Sequence, residues 1–149
     1  MGRTRSGSRS QARLEQLAYC PLGVPFQNDA YVPFLHGIAN ECQERNLRFS
    51  AQSLEAPVNG DFSIPPILQY GNVDGIIISG MVDDAAVACF QRQQIPLVVL
   101  GNHDLKTPVT RVELDMRQVG SALAEGLLEQ GHRQIAFVVE ESHHAYERM

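Results

Sequence analysis

Cysteine is scarce and scattered: Cys20, Cys42 and Cys89 stand far apart and form no C-x-x-C pair. That spacing argues against a disulfide framework and against a zinc knuckle. Long apolar runs are also lacking, and no stretch approaches the roughly 18 to 20 residues that a membrane span needs. The opening MGRTRSGSRSQARL has no apolar segment of the kind a secretory leader carries. A cytoplasmic setting is therefore expected. Lysine occurs once, at Lys106 in a loop, and no P-loop is present. The first apolar run is followed by Pro21-Leu22-Gly23-Val24-Pro25, with one glycine. A dinucleotide fingerprint needs spaced glycines there, because a pyrophosphate must approach bare backbone. These absences speak against nucleotide-dependent chemistry.

Nucleophiles and metal ligands are thin as well. Ser79 sits in IISGM, which lacks the first glycine of a G-x-S-x-G elbow. It reads as a buried strand-end serine bonded to backbone. The histidine clusters are NHD (His103, Asp104) and the pair His143-His144. Adjacent residues on a strand or helix point apart, so neither makes a good chelator. No catalytic residue, metal or cofactor is expected, and the chain does not read as an enzyme.

What is there is ordinary in bulk. A chain of 149 residues suits one domain with a real core. Hydrophobic residues make up 44% and charged residues 19%, the balance of a globular protein. Charge is unevenly placed. Arg3, Arg5, Arg9 and Arg13 lie in residues 1–14, which hold no acid; the rest carries eight basic against 17 acidic residues, a net of −9. Residues 1–14 read as a flexible basic arm or linker. The four arginines, spaced by Ser, Gly and Thr, make no nucleic-acid motif.

From residue 15 strands and helices alternate. A strand is expected near Leu17–Cys20, stopped by Pro21. Over residues 30–46 apolar Leu35, Ile38, Ala39 and Cys42 fall at i, i+3, i+4, i+7, one face of a helix. Asn28 or Asp29 could cap it, Pro33 fits its first turn, and Asn46 suits its exit. LRFSAQSL reads as a strand, and a short helix is expected in Ile64–Tyr70. VDGIIISG and IPLVVLGN are buried strands, with a helix DDAAVACFQRQQ between them, capped by Asp83 or Asp84. TRVEL is a short strand. Asp115 then opens a helix with a stripe of Val119, Ala122, Leu123, Leu127 and Leu128, and Asp115 with Gln118 has capping-box spacing. Gly131 belongs at its C-cap, and RQIAFVV is a last strand. Strands apolar on both faces need helices on both faces, which predicts a parallel α/β sheet. Such sheets take ligands beyond the carboxyl ends of their strands. Asp115 lies at that edge. Gly131-His132-Arg133 reads as a joint between helix and strand rather than as chemistry, its positive charge favoured at the helix's negative end.

Taken in order, VDGIIISG, IPLVVLGN, VTRVELD before a helix, and EGLLEQGHRQIAFV resemble the effector-binding domain of the LacI/GalR transcriptional regulators. AYVPFLHGIANECQERN is similar to the first helix of that domain, and AYERM resembles the family's ARERL. The resemblance covers about residues 15–149. It implies a periplasmic-binding-protein-like type I fold of two α/β subdomains, of which residues 15–149 resemble the N-terminal one, incomplete. It implies no helix-turn-helix headpiece and no second subdomain in this stretch. It further implies a small effector, a sugar or a nucleoside, that shifts a homodimer between DNA-binding and non-binding states, with DNA held through the headpiece. Site residues carry over by position. Asn28, Asp29 and Tyr31 fall where the family has N-P-F-F, and Phe34 lies one turn on, with Phe26 a second aromatic candidate. Gly101 and Asn102 stand where Asp-Arg is usual at the pocket rim. Asp115 matches the family's Asp. A sugar-binding protein of a transport system shares the fold and is the alternative. An unfinished sheet should also leave an edge and an apolar helix face exposed.

Overall fold

The computed structural model describes residues 14–25, 28–56, 63–69, 71–101 and 104–138. The arginine arm before Leu14, Phe26, Asn102, His103, His143, His144 and the AYERM tail lie outside the described residues. The strands are β1 (Gln16–Leu22), β2 (Arg48–Ala51), β3 (Gly75–Gly80), β4 (Leu97–Leu100) and β5 (Thr110–Val112). All pair in parallel, in the order β2-β1-β3-β4-β5. Helices α1 (Val32–Glu44) and α2 (Asp84–Gln91) connect β1 to β2 and β3 to β4. The two connections run in opposite directions across the sheet. Right-handed crossovers then place the two helices on opposite faces. The helix Met116–Glu129 is α3.

Burial follows the alternation of the strands. Ala18 pairs Ile76 and Cys20 pairs Ile78 in the β1–β3 register. These side chains point to one face, where they form a core with Leu22, Leu68, Val87 and Phe90. The intervening residues Tyr19 and Ser79 point to the other face and are buried too. Both faces of β1 and β3 are covered, which is why their sequences run apolar without a break. Cys20, Cys42 and Cys89 are buried thiols, not disulfides. Burial pushes the Cys20 thiol up to about 12.

Several expectations shift in detail. β1 runs past Pro21 to Leu22 because the missing N–H of Pro21 falls where β2 has already ended. Its carbonyl still accepts the Leu54 N–H at 2.9 Å. The helix expected in Ile64–Tyr70 is a single 3-10 turn, Pro66–Leu68. Neither Asn28 nor Asp29 caps α1; Tyr31 takes that position without a side-chain cap, and Pro33 lies in the first turn. Asn28 is instead used one turn earlier, its Oδ1 accepting the Ala30 N–H at 3.0 Å. Asn46 leaves α1 with φ 56°, the left-handed exit its side chain tolerates. Ser79 bonds a side chain, not backbone: its Oγ lies 2.8 Å from Tyr19 Oη.

One expected element differs. Residues 133–138 of RQIAFVV form no strand and are exposed, and Val139 lies outside the described residues. A strand needs a neighbour to satisfy its backbone, and among the described residues none pairs with this segment. α3 forms where its periodicity places it, yet none of its residues is buried. Its local signals are all satisfied. Asp115 Oδ1 accepts the Gln118 N–H at 3.0 Å. At the other end Gly131 (φ 91°) bonds Leu128 O at 3.0 Å and the His132 N–H bonds Leu127 O at 3.1 Å. That pair of bonds is a Schellman turn. Arg133 adds a bond from Nη1 to Leu128 O at 2.9 Å, so the Gly-His-Arg stretch closes the helix.

Candidate functional site

The carboxyl ends of the strands lie along one edge, and loops rise from it in sheet order. After β1 the chain turns tightly: the Asn28 N–H bonds Pro25 O at 3.1 Å and the Tyr31 N–H bonds Asn28 O at 2.9 Å. Asn28 and Asp29 are exposed there and Tyr31 is half-buried. Tyr31 meets Phe34 edge to face, ring centroids 6.4 Å apart at 60°. This pair is an aromatic ledge at the mouth of β1, suited to the face of a ring.

β3 ends at Gly80 with φ 84°. A Cβ there would collide with the Leu22 carbonyl oxygen, so only glycine lets β3 pass so close to β1. At the end of β4, Gly101 donates its N–H to Val112 O at 2.9 Å, tying the rim of β4 to β5. Three residues later Asp115 begins α3. Its cap uses one carboxylate oxygen, and the group is exposed. The loop between β4 and β5 is clipped to α2. Asp84 Oδ1 accepts the N–H groups of Lys106 (3.0 Å) and Thr107 (2.6 Å), and Gln91 Nε2 donates to Pro108 O at 2.8 Å. Bonds from the Thr107 side chain and backbone hold the Asp84 carboxyl below its ordinary value.

The structure therefore gathers the sequence-derived residues into two groups. Asn28, Asp29, Tyr31 and Phe34 stand at β1; Gly101 and Asp115 stand at β4 and β5. At the level of the sheet, three strand spacings of about 4.8 Å separate β1 from β5. Sequence reasoning missed the Tyr19–Ser79 pair, which lies beneath this edge. Burial pushes the Tyr19 phenol up, the bond to Ser79 works against it, and the nearby Tyr31 phenol adds to it. The signal was a tyrosine and a serine at same-face positions of two otherwise apolar strands. Among the described residues no group of three or more His, Cys, Asp or Glu side chains could hold a metal ion. No helix among them is long and apolar enough to cross a membrane.

A parallel sheet in this order, with helices on both faces and loops at its carboxyl edge, is the architecture of one lobe of a periplasmic-binding-protein-like type I domain. Known proteins place it more closely. No protein-family profile matches the chain. A protein of Mycolicibacterium smegmatis described as an HTH-type transcriptional regulator is 29% identical over 119 residues, 79% of this chain and 32% of the relative. Among solved structures, a protein of Yersinia pestis biovar Microtus assigned as a transcriptional regulator superposes with TM-score 0.62 at 22% identity, over 90% of this chain and 49% of its own. The lac repressor dimer, bound to operator and the anti-inducer ONPF, superposes with TM-score 0.61 at 15% identity, over 85% and 44%. These similarities bear out the resemblance to LacI-type regulators and the fold class. The chain spans about a third of the curated relative and about half of each solved one.

Proposed function

We propose that this chain is part of the effector-sensing domain of a LacI-type, DNA-binding transcriptional regulator. The carrying observation is the strand order β2-β1-β3-β4-β5 with the aromatic ledge and Asp115 on its ligand-facing edge. The similarity to an HTH-type regulator supports the regulatory role over the transport alternative. The effector is a sugar or a nucleoside: Tyr31 and Phe34 offer a surface for a ring, and Asp115 offers a carboxylate oxygen to hydroxyls. Asn28, Asp29 and Gly101 complete this wall, and Asn102, which the resemblance also implies, lies outside the described residues. The molecule acts by binding, with no catalytic group, in the cytoplasm and as a homodimer. DNA is engaged through a helix-turn-helix headpiece, as in the family resembled. Residues 15–149 belong to the domain's first lobe, whose sheet runs from Gln16 to Val112.

Binding by one wall is expected to be weak, because a good pocket encloses 70% or more of its ligand. A thermal-shift screen of pentoses, hexoses and nucleosides should give millimolar binding for at least one class. Tyr31→Ala and Asp115→Ala should each weaken that binding about tenfold. Sugar and nucleoside binding that neither substitution alters would overturn the assignment of this edge.

A further inference from the structure

Two hydroxyls are buried where β1 and β3 otherwise run apolar. Tyr19 is 0% and Ser79 1% exposed, and Tyr19 Oη lies 2.8 Å from Ser79 Oγ. In the β1–β3 register Tyr19 stands opposite Ile77, and Ser79 is two residues nearer the carboxyl edge. The phenol therefore leans along its strand toward that edge. A phenylalanine and an alanine would fill the same places. Exchanging both partners of a buried hydrogen bond for apolar groups is nearly neutral in stability. The distinct contribution of this bond is directional: it fixes where the phenol sits. The Tyr31 phenol is close by. Burial raises the Tyr19 phenol most, Ser79 opposes that, and Tyr31 raises it further. Tyr31 opens α1 without a side-chain cap. Its N–H bonds Asn28 O at 2.9 Å and its carbonyl accepts the Leu35 N–H at 3.1 Å, which places its backbone at the start of the helix. Its ring meets Phe34 edge to face.

We infer that Tyr19 and Ser79 are positioning residues for the aromatic ledge: Ser79 on β3 holds the Tyr19 phenol, and Tyr19 on β1 sets the angle of the Tyr31 ring against Phe34. Both are buried, so neither touches the effector. Both act through Tyr31, and the hydroxyl pair thereby joins two central strands of the sheet to the first turn of α1. The inference rests on the reading of the Tyr31–Phe34 ledge as effector-facing, and adds the residues that aim it.

Tyr19→Phe and Ser79→Ala each break the bond, and Tyr19→Phe keeps the ring that fills the core. Each leaves one buried hydroxyl without its partner and lowers the denaturation midpoint, whatever the role of the pair, so stability does not decide. Two readouts on the 149-residue chain do. The first needs no ligand: the NMR contact between the ring protons of Tyr31 and Phe34. Both substitutions should weaken that contact and shift the Tyr31 ring signals. The second is adenosine binding by NMR titration. Each substitution should weaken it about threefold in the parent and leave it unchanged in a Tyr31→Ala background, the non-additivity of residues that act through one another. A Tyr31–Phe34 contact that stays intact in both variants overturns the inference and leaves a purely structural bond. Equal weakening of adenosine with and without Tyr31 also overturns it. A weakened ring contact, together with adenosine binding that Tyr31→Ala does not alter, keeps the positioning pair and removes the ledge from the effector site.

Discussion

Helices α2 and α3 begin in the same way and end up in different worlds. Each follows a strand of the sheet, or the short loop after it, and each is capped by an aspartate. Asp83 accepts the Ala86 N–H at 2.7 Å, and Asp115 accepts the Gln118 N–H at 3.0 Å. Each carries an apolar stripe. α2 buries Ala86, Val87, Cys89 and Phe90, whereas α3 buries nothing, and its Leu123 stays 64% exposed. The apolar segment after α3 is equally bare, with Phe137 80% exposed. Capping and periodicity make a helix locally; only a surface to pack against gives its stripe a stabilising role. α2 has the sheet beneath it. α3 has the sequence of a core helix and no core among the described residues.

The sharpest way to break this contrast is to empty each stripe in turn. Phe90→Ala removes a fully buried ring and should cost about 3–5 kcal/mol in chemical denaturation. Leu123→Ala should change global stability by less than about 0.5 kcal/mol. A comparable loss from Leu123→Ala would show that α3 is packed in solution, with a second copy or with its own sheet. Sizing of the two variants would then tell these apart.

The caps give a smaller and more local version of the same test. Asp83→Ala should lower global stability by about 1 kcal/mol, because α2 unfolds with the sheet. Asp115→Ala should fray α3 while leaving the denaturation midpoint of the sheet unchanged. Hydrogen exchange reads both, with α3 amides exchanging near the rate of local opening and those of β1 and β3 near the global rate. Equal protection across α2 and α3 would sink the distinction.

The contrast also marks how far sequence carries. All five strands of the sheet and all three helices were legible, because each has a local cause: β-branched runs in VDGIIISG and IPLVVL, an aspartate before each of α2 and α3, Gly131 at a C-cap. RQIAFV, residues 133–138, has the same composition and formed no strand, since pairing depends on a neighbour that composition does not supply. Pro21 misled for a related reason: whether a missing N–H matters depends on what lies beside it. Tyr31 and Asp115 were picked out by position in the family resembled, and the Tyr31–Phe34 contact follows from helical spacing. The Tyr19–Ser79 bond joins residues 60 apart. It depends on which strands become neighbours.

The smallest effect concerns the end of the sheet away from the ligand edge. Asp74 Oδ2 accepts the backbone N–H groups of Glu15 (2.9 Å) and Gln16 (2.8 Å), pinning the start of β1 beside β3. The Glu15 bond first and the Gln16 bond second hold its carboxyl below the ordinary value. A carboxyl depressed in the folded state favours folding above its unfolded pKa of about 3.9. That contribution is lost as pH falls through the depressed folded value. Asp74→Asn removes the charge at every pH. Its denaturation midpoint should therefore sit slightly below that of the parent at neutral pH and converge with it below about pH 4. Because Asp74 anchors the sheet and not α3, the sheet amides should lose protection in the variant while α3 amides stay as they were. A gap between the two proteins that persists at low pH would assign the effect to lost packing at β1 rather than to the carboxylate. Changes in α3 would tie the two regions together.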